Sequence, residues 1–445
     1  MSHNKMHFFS PSRTILFSIS FAIILGTVLL SLPFSQAQPV SLIDSFFTAT
    51  SCTCVTGLLT VPLDYFSTIG QLIIMMLIQI GGLGLITLTF FVVSLFVNLG
   101  LSTQVMAGEM LDLDSWKNIK KILLFIIMLT IIIEVTGAFF IFQTLRHDFP
   151  LTKALFYSCF HAVSSFCNAG ITPFGEAGMV TYAENYTMLL TTSFLMISGG
   201  IGFITWQELI KKLNIWSKKT RSHLSLQTKI ILTYYFFFIA TGTFIFWLLE
   251  RNNTFEAFSH PLQLLNAFFT SVTSRSGGYL TVHADDMQHA SVFTMMINAF
   301  IGSAPGSTGS GIKLTTTAIF IATINAAIMN KGSVDLQGRT IAKDQVYRAL
   351  AIVSLSIVWV LVTVFCLLIS ENSWPFLDVM FEAVSAFSTL GASLGITPYL
   401  STIGKLLIAL SMFAGRIGSL TLMIALQRKN ELRDYSYPEE RVMIT

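Results

Sequence analysis

Long apolar runs alternate with short half-apolar ones along this chain. The long runs cover 14–34, 69–96, 122–142, 186–209, 228–249, 290–329, 349–369 and 400–426, and the short ones 43–53, 152–166, 261–273 and 376–387. About 20 apolar residues in helical form cross a bilayer, whereas a run of about 10–14 does not. The order is long, short, long, and it occurs four times. It predicts an all-α polytopic membrane protein in which four helix, half-helix, helix units surround a central pore, with eight spanning helices and four re-entrant half-helices.

Each short run leads into a polar segment bearing a glycine: TCVTGL at 53–58, CNAGI at 167–171, SGGY at 276–279 and TLGA at 389–392. The aligned glycines, Gly57, Gly170, Gly278 and Gly391, lie 113, 108 and 113 residues apart, and a phenylalanine stands ten residues before each: Phe47, Phe160, Phe268 and Phe381. A near-constant interval marks an internal repeat. The units are 1–110, 111–220, 221–340 (with an interruption at 302–311) and 341–445, the last with a short tail. Irregular backbone is tolerated at membrane depth only where protein shelters it or where it lines a watery cavity. Four such segments meet that condition together by surrounding one axis. The candidate lining is Val55, Thr56, Gly57 and Leu58; Asn168, Ala169, Gly170 and Ile171; Ser276, Gly277, Gly278 and Tyr279; and Thr389, Leu390, Gly391 and Ala392. Glycine permits dihedrals that turn carbonyl oxygens inward, and rings of carbonyls replace the hydration shell of a monovalent cation. Half-helices descending from outside present the partially negative ends of their dipoles below such a ring. Nearby hydroxyls, among them Ser51, Ser164, Thr273 and Ser385, are placed to bond the backbone behind it.

Composition fits this reading. Of 445 residues 53% are hydrophobic and 11% charged, against about 25% charged in soluble proteins, and the mean hydropathy is +0.70. The net charge of +3 is small, and nothing in the chain reads as a basic nucleic-acid patch. The five cysteines lack zinc-site spacing and read as buried thiols, and the eight histidines are dispersed. The run 14–34, followed by SQAQP, is needed to complete the first unit and reads as a retained helix. Lysines and arginines gather between units, as at Lys117, Lys120 and Lys121, at Lys211 to Lys229, and at Lys331 to Arg348. By the positive-inside rule these connections and both termini face the cytoplasm. The segments within units then face outward with a mild excess of acids, Lys405 being one of the exceptions.

Three charged positions stand out. Arg275 directly precedes SGGY; a positive charge on a cation path would repel the ion, so this side chain is expected to point away, bonded to carbonyls or to an acid, with Glu382 the candidate. The interruption at 302–311 contains Gly302, Pro305, Gly306, Ser307, Thr308, Gly309, Ser310 and Gly311. With each glycine costing about 1 kcal/mol and proline about 3 kcal/mol inside a helix, it has to be a sheltered loop. Lys313 follows it. Arg416, inside an apolar run, is expected to act with that loop as a barrier, because an intramembrane charge needs a role or a firm partner. Glu134 reads as a packed acid with a hydrogen-bonding neighbour.

The chain resembles the Trk/Ktr/HKT superfamily of potassium transporters, most closely the Ktr-type membrane subunit. The resemblance covers nearly the whole chain and is carried by FTATSCTCVTGL (47–58), QIGGLG (79–84), FCNAGI (166–171), SVTSRSGGY (271–279), GSAPGSTGSGIKLTTTA (302–318), FEAVSAF (381–387) and GRIGSLTL (415–422). It implies potassium as the transported ion at the backbone carbonyls of Thr56, Ala169, Gly277 and Leu390, with sodium dependence in some members and no organic cofactor in this chain. It also implies no enzymatic activity, a homodimer in the lipid of a prokaryotic inner membrane, and a cytoplasmic ring of nucleotide-binding regulatory subunits. In this family the 302–311 loop is implied as a gate. The sequence departs from the family's pattern at Ser388, where glycine is common, at Leu390, where valine is common, and at Gly277 and Tyr279, where alanine and phenylalanine are usual. A sodium-coupled secondary transporter and a nonconducting scaffold subunit also fit eight spans; the scaffold leaves the four aligned glycine segments without a purpose.

Overall fold

The structure, a computed structural model, describes residues 11–84, 119–175, 177–213 and 224–418. Four long helices open the four units: α1 (Pro11–Ser31), α4 (Ile119–Leu145), α8 (Leu226–Glu250) and α12 (Lys343–Ser370). At ~1.5 Å per residue the 25 residues of α8 exceed the ~30 Å hydrocarbon core. The half-helices are α2 (Leu42–Cys54), α5 (Leu151–Cys167), α9 (His260–Thr273) and α13 (Phe376–Ser388). Their starts are set locally. Pro150 and Pro375 precede α5 and α13, Pro261 lies in the first turn of α9, and the Ser41 hydroxyl caps α2 by accepting the Asp44 N–H at 3.1 Å.

The second helix of each unit begins on a cap in three cases: Ser67 for α3 (Thr68–Leu83), Asn185 for α6 (Tyr186–Gly200) and Ser401 for α14 (Thr402–Ile417). In the third unit it is α10 (His289–Phe300). Here the sequence-based expectation of unbroken second spans over 69–96, 186–209 and 400–426 requires correction. α3 stops at Leu83 before Gly84 (φ +80°), and α14 stops at Ile417 before Gly418 (φ +88°). α6 is followed after Gly202 (φ +92°) by α7 (Phe203–Leu213), bent through 98°. Left-handed dihedrals cannot continue a right-handed helix, so each glycine ends a span that hydropathy alone joins together. The continuations 85–96 and 419–426 lie outside the described residues. The third unit breaks as expected, α10 giving way to the 302–311 loop before α11 (Leu314–Ile328). A short hairpin of β1 (Asp335–Leu336) and β2 (Arg339–Thr340) follows.

The units close into a ring. The second helix of each packs on the half-helix of the next, α3 on α5, α6 on α9 and α10 on α13, and α14 returns to α2 of the first unit. At that closing seam Lys405 Nζ pairs with Asp44 Oδ1 at 2.7 Å, which gives this lysine, an exception to the charge pattern, a fixed partner. Polarity is reversed relative to a soluble protein: Phe17, Phe139, Phe237 and Phe365 are exposed on the long helices, while Thr48, Ser51, Ser164, Ser271 and Ser385 on the half-helices are buried. An apolar exterior suits lipid, and the hydroxyls are spent inside. Cys52, Cys54 and Cys167 are buried as expected, but Cys159 is exposed and Cys366 half-buried, because both sit on helix faces turned outward.

Helix pairs approach closely where a side chain is missing. Gly81, Gly199 and Gly415 lie against the carbonyls of Thr53, Phe166 and Phe387, four residues before the ring glycine of their units. A Cβ on Gly415 would stand 2.7 Å from the Phe387 carbonyl carbon, whereas one on Gly332 meets nothing within 4 Å. Gly415→Ala therefore lowers the melting temperature of the purified protein, through overpacking of about 1–3 kcal/mol, while Gly332→Ala leaves it unchanged. Equal melting of both variants would contradict this packing.

Candidate functional site

The four half-helices end facing one another, and the segments that follow share one backbone conformation. The residue two before each glycine has positive φ, at Val55 (58°), Asn168 (60°), Ser276 (83°) and Thr389 (50°), and so has each glycine, Gly57 (102°), Gly170 (70°), Gly278 (71°) and Gly391 (90°). For β-branched Val55 and Thr389 this is an outlier costing on the order of 1–3 kcal/mol each, sustained only where the surroundings impose it. The imposition is visible in the backbone. The N–H groups of Thr56, Ala169 and Leu390 each donate at 2.8 Å to the carbonyls of Ser51, Ser164 and Ser385, and Gly277 N–H donates at 2.7 Å to Thr273 O.

These segments pack head to tail around a closed circle. A Cβ placed on Gly57 would lie 3.3 Å from Gly170 Cα; on Gly170, 3.2 Å from Gly278 Cα; on Gly278, 3.2 Å from Gly391 Cα; and on Gly391, 3.1 Å from Gly57 Cα. The atom standing in each of these gaps is the carbonyl oxygen preceding the next glycine: Ala169 at Gly57, Gly277 at Gly170, Leu390 at Gly278 and Thr56 at Gly391. All sixteen residues singled out from the sequence belong to these four segments. Their hydroxyl supports are present too. Ser51 Oγ accepts the Gly57 N–H at 3.0 Å, Ser164 Oγ the Ile171 N–H at 3.1 Å, Thr273 Oγ1 the Tyr279 N–H at 2.8 Å and Ser385 Oγ the Gly391 N–H at 3.1 Å.

On one side of the ring a cavity of about 290 Å³ is bordered by Gly170, Gly278, Gly391, Asp285 and Ser393. Partial burial, and then the Asp285 carboxylate, raise the Asp378 carboxyl above its ordinary range, with His289 opposing. On the other side the 302–311 loop is tied to the ring segments. Asn168 Nδ2 donates to Thr308 Oγ1 at 2.9 Å, Thr308 Oγ1 donates to Phe166 O at 3.0 Å, and Ser310 N–H donates to Ser276 Oγ at 3.4 Å. The loop also bonds α6 and its break through Ala304 N–H to Gly200 O (3.1 Å), Thr308 N–H to Gly199 O (3.2 Å) and Phe203 N–H to Gly306 O (3.0 Å). Loop and helix break are therefore one assembly, a link the sequence did not disclose.

Arg416 joins this assembly to the first unit. Its guanidinium donates to Thr308 O (2.6 Å) and Ser310 Oγ (3.2 Å), and on the other side to Gly81 O and to Gly82 O (3.4 Å). Lys313 Nζ donates to Gly309 O at 2.8 Å. A cavity of about 130 Å³ adjoins Gly306, Ser307 and Arg416. Arg275 turns away from the ring as expected. Its partners are the carbonyls of Tyr235 (3.2 Å), Ile301 (3.2 Å) and Gly302 (3.0 Å), with the Tyr235 and Phe238 rings 4.8 and 5.3 Å away. Glu382 is not its partner: this buried carboxylate accepts from Ser393 Oγ at 2.9 Å and from Thr397 Oγ1, bracing the chain after the fourth glycine. Glu134 is buried beside Gln79, with its Oε1 unbonded among the described residues. Among the described residues no group of three His, Cys, Asp or Glu side chains converges as a metal centre needs.

Comparison with known proteins gives consistent results. A family model described as TrkH, cation transport protein, matches residues 9–434. The chain is similar to the potassium/sodium uptake protein NtpJ of Enterococcus hirae, 33% identical with 98% of this chain and 97% of the relative covered. It is also similar to the Ktr system potassium uptake protein B of Bacillus subtilis, 34% identical with 98% and 96% covered. Among solved structures, the potassium transporter TrkH from Vibrio parahaemolyticus shares the fold with a TM-score of 0.73 at 20% identity, over 96% of this chain and 87% of that one.

Arg275 offers a test of how the ring is held. A lysine carries one ammonium where the guanidinium fork reaches three carbonyls and faces two rings. With charged hydrogen bonds contributing about 1.5–3 kcal/mol each, Arg275→Lys lowers the thermal midpoint in detergent well beyond any shift from Arg251→Lys, whose side chain is exposed. Identical midpoints would refute the bracing role.

Proposed function

The chain belongs to the TrkH family of cation transport proteins, and from that premise we propose that it takes up potassium through the ring of backbone carbonyls formed by Thr56, Ala169, Gly277 and Leu390. The observation that carries the proposal is the head-to-tail contact of the four glycines. A dehydrating cation needs several oxygens at once, and backbone carbonyls supply them without the deep trap that a ring of carboxylates would make for a monovalent ion. The converging C-terminal ends of α2, α5, α9 and α13 add partial negative charge on the inner side of the ring. An anion gains nothing from such surroundings.

Loop 302–311 with Arg416 then acts as the gate. Fastened to Gly81, Phe166, Gly199 and Gly200, it obstructs the route inward, and its glycines let it swing aside when those bonds break. Arg416 adds a charge that a permeating cation avoids. The basic connections between units lie on the cytoplasmic side with both termini, and they receive a nucleotide-binding regulatory ring beneath a homodimer embedded in lipid. The name of the Enterococcus hirae relative includes sodium, so sodium coupling is the second reading, and the assay must vary both ions.

Potassium uptake into cells lacking their own uptake systems, with and without external sodium, tests these readings. Expression of this chain restores growth at low potassium; failure in both conditions, with the protein in the membrane, would overturn the proposal. Gly57→Ala puts a methyl 3.2 Å from the Ala169 carbonyl carbon on a left-handed residue, and uptake falls by about tenfold or more. In proteoliposomes Arg416→Ala raises cation flux above wild type, and an unchanged flux from well-folded protein would remove the arginine from the gate.

A further inference from the structure

Three of the residues that follow the ring glycines, Leu58, Ile171 and Ala392, have apolar side chains, and the fourth, Tyr279, has a phenol. That phenol leaves its own unit. Buried among the half-helices, it donates to Ser164 Oγ at 2.8 Å, accepts from Ser165 Oγ at 3.2 Å, and lies 3.4 Å from the Ile171 carbonyl. Ser164 Oγ is the same atom that accepts the Ile171 N–H, so the tyrosine bonds the hydroxyl that sets the second unit's backbone. At its other end Tyr279 N–H is fixed to Thr273 Oγ1 at 2.8 Å. The His161 ring packs against it at 5.0 Å between centroids and is itself held by Thr192 Oγ1 at 3.1 Å.

Resting on the reading of the ring as the ion-selective constriction, we infer that Tyr279 is a positioning residue for selectivity, a strut that sets the spacing between the second and third segments. A smaller ion is bound well only if the oxygens draw inward. The strut opposes that motion on one side of the ring, because the phenol is tied to Ser164 and Ser165 and its ring is wedged by His161. It therefore acts against sodium rather than for tighter binding of either ion. Its hydroxyl touches no permeating ion, and its effect passes through Ser164 to the backbone of Ile171.

The test is the ratio of initial sodium to potassium uptake rates in proteoliposomes holding the full chain, for wild type, Tyr279→Phe, Ser165→Ala and the double variant. Tyr279→Phe keeps the ring and removes the bonds. It raises the sodium to potassium ratio by about fivefold, the factor that one net hydrogen bond represents. Ser165→Ala shifts the ratio less and in the same direction, and the double variant does not exceed Tyr279→Phe. A merely structural role predicts lower melting with the ratio unmoved, and that result overturns the inference. If Tyr279→Phe does not reach the vesicles, Ser165→Ala alone must raise the ratio, and an unchanged ratio there overturns it equally. A wild type that does not prefer potassium at all would instead remove the reading of the ring on which the inference stands.

Discussion

The structure depends on four backbones coming closer together than any side chain would permit. Each ring glycine leaves out the one atom that would collide with the carbonyl of the next unit, and the dihedral it adopts is one that other residues resist. Contact of this kind is unfavourable in isolation, since carbonyl oxygens repel one another and Val55 and Thr389 are held at positive φ. It persists because a layer of hydroxyl and carbonyl acceptors behind the ring takes up the N–H groups of the turning backbone, and because each second helix presses on the half-helix of the next unit. A cation drawn into the ring would relieve the remaining repulsion. Under the proposed function, the protein is assembled around an ion it holds only in passing.

The same economy of small residues governs the layer below. Gly81, Gly199 and Gly415 bring the second helices onto the last carbonyls of the half-helices, and a few residues further on Gly84, Gly202 and Gly418 end those helices. All four units are thus interrupted at a similar depth, and the third has expanded its interruption into a loop. Arg416 spans that level, bonding the loop on one side and the first unit on the other. One side chain therefore ties three units together at once, which suits the proposed gate.

Much of this was legible in the chain. The interval between glycines and the phenylalanines ten residues before them locate the ring residue by residue, because a repeated backbone geometry demands a repeated residue. The loop announced itself through glycine and proline in a place where helix was required. The breaks at Gly84, Gly202 and Gly418 did not, since hydropathy is blind to a dihedral and the runs continue apolar past them; the glycine pairs in QIGGLG, SGGIG and AGRIG were the available signal. Partners of single polar groups were also out of reach. The Arg275 terminal nitrogens bond carbonyls rather than Glu382, and Tyr279 crosses to another unit, because such choices are made by tertiary proximity and not by spacing along the chain.

In the proposed transport step, carbonyl oxygens of four units jointly hold a dehydrated cation. Anomalous scattering from crystals of the protein grown with rubidium or thallium tests it most directly. The prediction is a peak at the centre of the ring, coordinated by the oxygens of Thr56, Ala169, Gly277 and Leu390. A ring without such a peak in crystals that take up the ion at carboxylates elsewhere, or a map in which Gly57, Gly170, Gly278 and Gly391 stand apart, would contradict it.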